Sequence, residues 1–225
     1  MTLLRLPRLA VAAVLLLAAL LLAACSSAVI PTVAPRASSD GTSCPTLVPA
    51  ALPAGETRTV TIETRKGTIG LRIEADLSPL AAGNFVALAA CGFYDDVIFH
   101  RLVPGFVIQG GDGQFGKASS LNPDRVGTGG PVYRIKDEPV TATYGRGTLA
   151  MARTAQPNSQ GSQFFIVLDD GAESALARYN TYAIFGEVIS GMGVVDAIAA
   201  MPNSGPPDNA ALDPVAMDKV TVSTP

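Results

Sequence analysis

A chain of 225 residues with 48% hydrophobic content and a formal charge of −3 suits one domain with a core of its own, and its acidic balance argues against a phosphate-binding surface. One histidine, no tryptophan and three cysteines narrow the chemistry further. Hydrolytic triads and transition-metal sites draw on several such groups, and the inventory lacks them.

The chain opens with MTLLRLPRLAVAAVLLLAALLLAAC, in which Arg5 and Arg8 precede an uncharged apolar run from Leu9 to Ala24. At 16 residues that run falls short of the ~20 that span a bilayer, and with its basic start and small-residue end it reads as a signal peptide over 1–24. Leu22-Ala23-Ala24-Cys25 resembles a bacterial lipobox, so Cys25 is expected to carry lipid and anchor the mature chain to a bacterial membrane outside the cytoplasm. A plain signal peptide or an uncleaved anchor is the alternative. Removing 1–24 takes away Arg5 and Arg8 and no acid, which moves the formal charge from −3 to −5 and weighs further against a nucleic-acid partner. Cys44 and Cys91 are then an even pair in a compartment where disulfides persist; they form a bridge, or stay as free thiols with Cys91 buried at a helix end.

Residues 25–57 are rich in Ser, Pro, Ala and Thr and predict a flexible tether, with a folded domain over 58–225. Alternation of Val60, Ile62 and Thr64, then Ile69, Leu71 and Ile73, around Lys66-Gly67 predicts a β-hairpin. Ser78-Pro79 supplies an N-cap and a first-turn proline for a helix carrying Leu80, Asn84, Phe85, Leu88 and Ala89, which Gly92 ends. Strands follow over 97–109, broken at Pro104-Gly105, then a long glycine-rich loop from Gly110 to Pro131. Further strands are expected at 147–152, 163–168 and 182–188, a short helix at 192–201 and a closing strand at DKVTVS. Many strands with two helices predict a closed barrel capped by helices.

Within IFHRLVPGFVIQGGD, residues 98–112, simple alternation places Phe99, Arg101 and Val103 on one strand face and Ile98, His100 and Leu102 on the other. His100 with two aliphatic neighbours reads as a half-buried structural histidine. Past the bend at Pro104-Gly105, Phe106 and Gln109 are within reach of Arg101, although the pattern by itself does not place them there. There is no G-x-S-x-G elbow, Walker loop, complete dinucleotide fingerprint or CxxC pair.

FHRLVPGFVIQGGD, GTLAMARTAQPNSQGSQFFI and YAIFGEVISGMGVVDAI, with NFVALAACGFYDDVIFHR upstream, resemble the cyclophilin peptidyl-prolyl isomerases over roughly residues 58–223. The resemblance implies an eight-stranded antiparallel barrel closed by two helices, and catalysis of cis–trans rotation about X-Pro bonds without cofactor or metal. It implies Arg101, Phe106 and Gln109 as the catalytic set, with Val107, Ala152, Gln163, Phe165 and Tyr182 lining the substrate groove. Proline-containing peptides and unfolded exported proteins are the implied partners, bound by a monomer. Arg153 stands where many members have Asn, which is expected to make the groove more basic, and GAESALARYNT replaces a Trp-bearing loop, which counts against cyclosporin binding. Tyr182 takes the place of a pocket histidine, and Tyr179 is expected near the far wall. A catalytically weak peptide- or partner-binding module is the alternative reading.

Overall fold

The computed structural model describes residues 43–223; the expected signal peptide, Cys25 and the first part of the tether lie outside them. Nine strands run in chain order: β1 Thr57–Thr64, β2 Gly67–Glu74, β3 Val97–Val103, β4 Val107–Gly110, β5 Thr148–Met151, β6 Phe164–Val167, β7 Ile184–Ser190, β8 Ala216–Met217 and β9 Lys219–Ser223. Three α-helices accompany them among the described residues: α1 Pro79–Ala90, α2 Glu173–Ala177 and α3 Met192–Ala199. Neighbouring strands pair antiparallel in the order β8-β3-β4-β6-β5-β7-β2-β1-β9. Only Asp218 separates β8 from β9, and its N–H donates to the Glu63 carbonyl at 2.7 Å. The eighth strand of the expected barrel is therefore one C-terminal segment broken at a single residue. Its first half pairs with β3 and its second with β1, which brings the two ends of the sheet together into a nearly closed barrel.

The predicted alternation fills the barrel. Val60, Ile62, Ile69, Leu71 and Ile73 are buried inside with Phe99, Leu102, Ile108, Leu149, Phe164 and Phe185. One face of α1, through Ala81, Phe85 and Leu88, and one of α3, through Val195 and Ile198, close this interior. A second, smaller apolar cluster lies apart from it: Val107, Tyr144, Ala150, Phe165, Val167, Ala172, Leu176 and Ile184. α2 contributes to that second cluster; the sequence pattern of GAESALARYNT did not announce a helix there.

Two local expectations are corrected by tertiary contacts. Pro79 begins α1 as expected, but the Ser78 side chain makes no capping hydrogen bond. The helix N-terminus is instead capped from a distant loop: Leu80 N–H and Ala81 N–H donate to the two carboxylate oxygens of Glu138, each at 2.8 Å. A carboxylate there answers two of the orphan N–H groups and the positive end of the helix dipole together, which a serine hydroxyl cannot.

The second correction concerns the tether, whose last part packs on the domain. From residue 43 the chain is strapped to the domain. Cys44 is joined to Cys91, at the C-terminal end of α1, by a disulfide. Leu52 is buried and its N–H donates to the Pro79 carbonyl at 2.9 Å, while Gly55 N–H donates to Asp76 Oδ1 at 2.8 Å. Gly83 lets the strap approach α1 this closely, since a Cβ there would stand 2.2 Å from the Ala50 carbonyl oxygen. A Pro-rich stretch carries no helical or strand period, so its docking has no sequence signature.

Candidate active site

The β3–β4 pairing places the site. Phe99 pairs with Gly110 and Arg101 with Gln109, so β3 holds one residue more than β4 between these pairs, and His100 is the extra one. A bulge of this kind breaks alternation and re-aims the side chains beyond it. Phe99 consequently packs inside the barrel with Leu102, whereas Arg101 and Val103 are half-exposed. The expectation that Phe99, Arg101 and Val103 share a face, opposite His100 and Leu102, is wrong for this reason.

Past the bulge, pairing sets a transverse row on one face of the sheet: Arg101 beside Gln109, Gln109 beside Phe165, Phe165 beside Ala150. A cleft of about 300 Å³ lies along this row, lined by Arg101, Phe106, Val107, Gln109, Ala152, Arg153, Phe165 and Tyr182, with Leu176 and Ala175 of α2 and Tyr179. Its floor is the second apolar cluster. Tyr182 meets the Phe165 ring edge to face at 5.5 Å, and Tyr179 meets Tyr182 at 6.4 Å from the exposed rim. The Tyr182 backbone is held by Tyr144, whose hydroxyl donates to the Tyr182 carbonyl at 3.0 Å. Burial pushes the Tyr144 hydroxyl up to about 12, so it stays a neutral donor.

Arg101 makes no side-chain hydrogen bond or ion pair among the described residues, while its backbone is fixed on both sides, by Gln109 in β4 and by a bridge to Ala210. Arg153 behaves differently. Its guanidinium pairs with Asp137 at 3.1 Å and donates to the Thr154 and Gln156 carbonyls at 3.1 and 2.9 Å. With its charge answered and its side chain only 9% exposed, Arg153 ties the 153–156 turn to Asp137 and adds no unpaired cation to the groove.

A second cavity, of about 270 Å³, shares Gln109, Ala152 and Arg153 with the first, and its other lining residues include Gly127, Thr128, Gly129, Arg134 and Gln163. Gln163 therefore lines this second cavity and not the first cleft, next to the wall of Gln109, Ala152 and Arg153 that the two share. Its Nε2 donates to the Gly127 and Gly129 carbonyls, each at 2.9 Å, and its Oε1 accepts from Gln109 Nε2 at 3.0 Å. The long loop that supplies these glycines is gathered around Asp112.

His100 lies behind this wall rather than in either cavity. The residue is only 7% exposed, and a Cβ added at Gly127 would stand 3.4 Å from its Nε2. Burial pulls the imidazole down to about 4, with the Arg101 charge adding to the fall and Asp112 opposing it. A neutral imidazole enclosed in this way has no access to a peptide in the groove. No group of three or more His, Cys, Asp or Glu able to hold a metal ion occurs among the described residues.

Residues 59–222 match the family model described as cyclophilin type peptidyl-prolyl cis-trans isomerase/CLD. A probable peptidyl-prolyl cis-trans isomerase of Brucella abortus (strain 2308) is 40% identical over 142 residues, 62% of this chain and 70% of that one. The peptidyl-prolyl cis-trans isomerase of Acinetobacter baylyi is 38% identical over 168 residues, 73% of this chain and 85% of the relative. The crystal structure of a Cryptosporidium parvum cyclophilin type peptidyl-prolyl cis-trans isomerase superposes with a TM-score of 0.61 at 29% identity, covering 75% of this chain and 99% of that one. The same protein was also solved in the presence of the dipeptide Ala-Pro, again with a TM-score of 0.61.

Proposed function

The chain belongs to the cyclophilin-type peptidyl-prolyl cis-trans isomerases, and from that premise we propose that Arg101, set over an apolar proline pocket, lowers the barrier to rotation about X-Pro bonds. That barrier is about 18–20 kcal/mol because twisting the peptide breaks amide resonance. No bond to a heavy atom is made or broken, so neither a nucleophile nor a proton shuttle is required. The site must instead favour the twisted amide over the planar one. On twisting, the prolyl nitrogen becomes pyramidal and a better hydrogen-bond acceptor, and a guanidinium held in place stabilises it with little reorganisation. Phe106, Val107, Phe165 and Tyr182 would seat the pyrrolidine ring, and Gln109 would hold the peptide backbone beside it. A family neighbour solved in the presence of Ala-Pro supports a proline peptide as the ligand.

The observation that carries this reading is the row Arg101–Gln109–Phe165, with the arginine unpaired among the described residues at the edge of an apolar cleft. The test is isomerisation of an Ala-Pro peptide by the protein and by Arg101→Ala. We expect kcat/KM to fall tenfold or more, at least about 1.4 kcal/mol of transition-state stabilisation. Equal rates in the two proteins would remove Arg101 from the mechanism.

We further propose that the enzyme works on proteins folding after export, as a monomer tethered by lipid on Cys25. The support is the basic and apolar segment 1–24 with Leu22-Ala23-Ala24-Cys25 at its end and junction, together with a disulfide between Cys44 and Cys91, which suits an oxidising compartment. Cys25→Ser is expected to shift the protein from the membrane to the soluble fraction; retention in the membrane would count against lipidation.

A further inference from the structure

Asp112 is fully buried, yet no cation pairs with it among the described residues. Its charge is answered by four backbone N–H groups. Oδ1 accepts from Gln114 at 3.1 Å and Phe115 at 2.9 Å; Oδ2 accepts from Gly127 at 2.8 Å and Gly129 at 2.9 Å. The first two bonds close a local turn. The other two reach 15 and 17 residues along the chain and pin the far end of the long loop. Gly129 has to be a glycine for this, since a Cβ there would stand 2.4 Å from Asp112 Oδ1.

Those two glycines are the residues whose carbonyls take both N–H bonds of the Gln163 amide. A carbonyl oxygen only accepts, so Gln163 has no choice of orientation: Nε2 faces the loop and Oε1 faces Gln109. Gln109 must then turn its own Nε2 toward Gln163, as it does at 3.0 Å. Its Oε1 and remaining N–H are left for the groove, one strand from Arg101. An isolated side-chain amide is nearly indifferent to a half-turn about its last torsion. Here that indifference is removed step by step, from a buried carboxylate to the lip of the cleft.

We infer that Asp112 is a positioning residue for the isomerisation, which through Gly127, Gly129 and Gln163 fixes the direction in which Gln109 presents its amide to the peptide. The inference rests on the reading that Gln109 touches the substrate. Asp112→Asn is the informative change: one oxygen still accepts, but the new NH₂ faces two N–H donors and turns them away. The loop carbonyls then lose their fixed aim, Gln163 regains its half-turn, and Gln109 follows.

The test is a mutant cycle on the full chain, with kcat/KM for an Ala-Pro peptide measured below the melting temperature of every variant. Asp112→Asn is expected to lower kcat/KM roughly tenfold in the parent, in line with misplacement of a binding group, and less than twofold in a Gln163→Ala background, where the relay is already cut. The Gln163 side-chain amide resonances should move toward free-amide positions in Asp112→Asn. A folded Asp112→Asn with parental kcat/KM, or the same loss in both backgrounds, overturns the inference. Gln109→Ala, run alongside, separates the levels. If it is silent, the reading of the groove fails and the inference with it; if it is costly while Asp112→Asn is harmless, the inference alone fails. Should Asp112→Asn not hold its fold, Asp112→Glu, which keeps the charge but displaces it by one methylene, enters the same cycle with the same criteria.

Discussion

Arg101 and Gln109 stand directly opposite each other in β3 and β4 because His100, one residue earlier, is left without a partner in the ladder. The bulge delivers the arginine to the groove and withdraws the histidine from it. It also turns Phe99 into the barrel interior, where it meets Phe164 edge to face at 6.3 Å.

That division gives His100 a structural role and the reaction none. His100→Ala is expected to keep kcat/KM within about threefold of the parent while lowering stability by roughly 2 kcal/mol, the scale for truncating a buried side chain. Denaturant unfolding and the peptide assay on one sample decide it. A collapse of rate in a fully folded variant would contradict the assignment.

The same burial makes stability depend on acid. Between about pH 6.5 and 4 the unfolded chain takes up a proton at this imidazole and the folded protein does not. The stability associated with the neutral ring is therefore present at neutral pH and is lost as pH falls through that window, by about 3 kcal/mol. Comparison with His100→Leu isolates the effect. The parent's unfolding free energy should drop more steeply from pH 6.5 to 4 than the variant's, and parallel slopes would exclude the ring as the source.

Catalysis should be insensitive to pH where stability is not limiting. A guanidinium keeps its charge across the physiological range, and twisting an amide transfers no proton in the mechanism proposed. We expect kcat/KM for an Ala-Pro peptide to vary less than twofold from pH 6 to 9. A bell-shaped profile would point to a general acid or base that the proposal does not contain.

Removing the strap should destabilise without inactivating. The Cys44–Cys91 bridge closes a loop with a sequence separation of 47, for which the chain-entropy model gives about 4 kcal/mol. Cys44→Ser with Cys91→Ser should lower the melting temperature by several degrees and leave kcat/KM unchanged at 25 °C, because neither cysteine lines the cleft.

Glu138→Gln tests the remote cap on α1. Leu80 and Ala81 N–H would lose a charged bidentate acceptor, for an expected cost of about 1–2 kcal/mol. Ser78→Ala should cost less than Glu138→Gln, since the Ser78 hydroxyl caps nothing. The reverse order of melting temperatures would restore the serine as the cap.

Much of this protein is legible in its sequence. Alternation of Val60 and Ile62 with Ile69, Leu71 and Ile73 announced the first hairpin, and Pro79 and Gly92 bracketed α1. The motif residues Arg101, Phe106, Val107, Gln109, Ala152, Phe165 and Tyr182 converge on one cleft. These are properties of local stereochemistry: side-chain period, φ preference and side-chain class act within a few residues and leave their mark in order along the chain.

What only the tertiary structure decided involves a partner remote in sequence or a single displaced register. Nothing at position 100 marks a bulge, because an extra residue is extra only relative to β4. Arg153 reads as a new groove cation until Asp137 is found against it, and residues 43–56 read as a tether until they pack on α1. Asp112 looks like a turn residue among glycines, although two of its four N–H donors come from the far end of the loop. Sequence by itself determined which residue types the chain could bring to a site. The fold decided which charges remain free there, because hydrogen bonds and ion pairs go to whatever the folded path brings within reach.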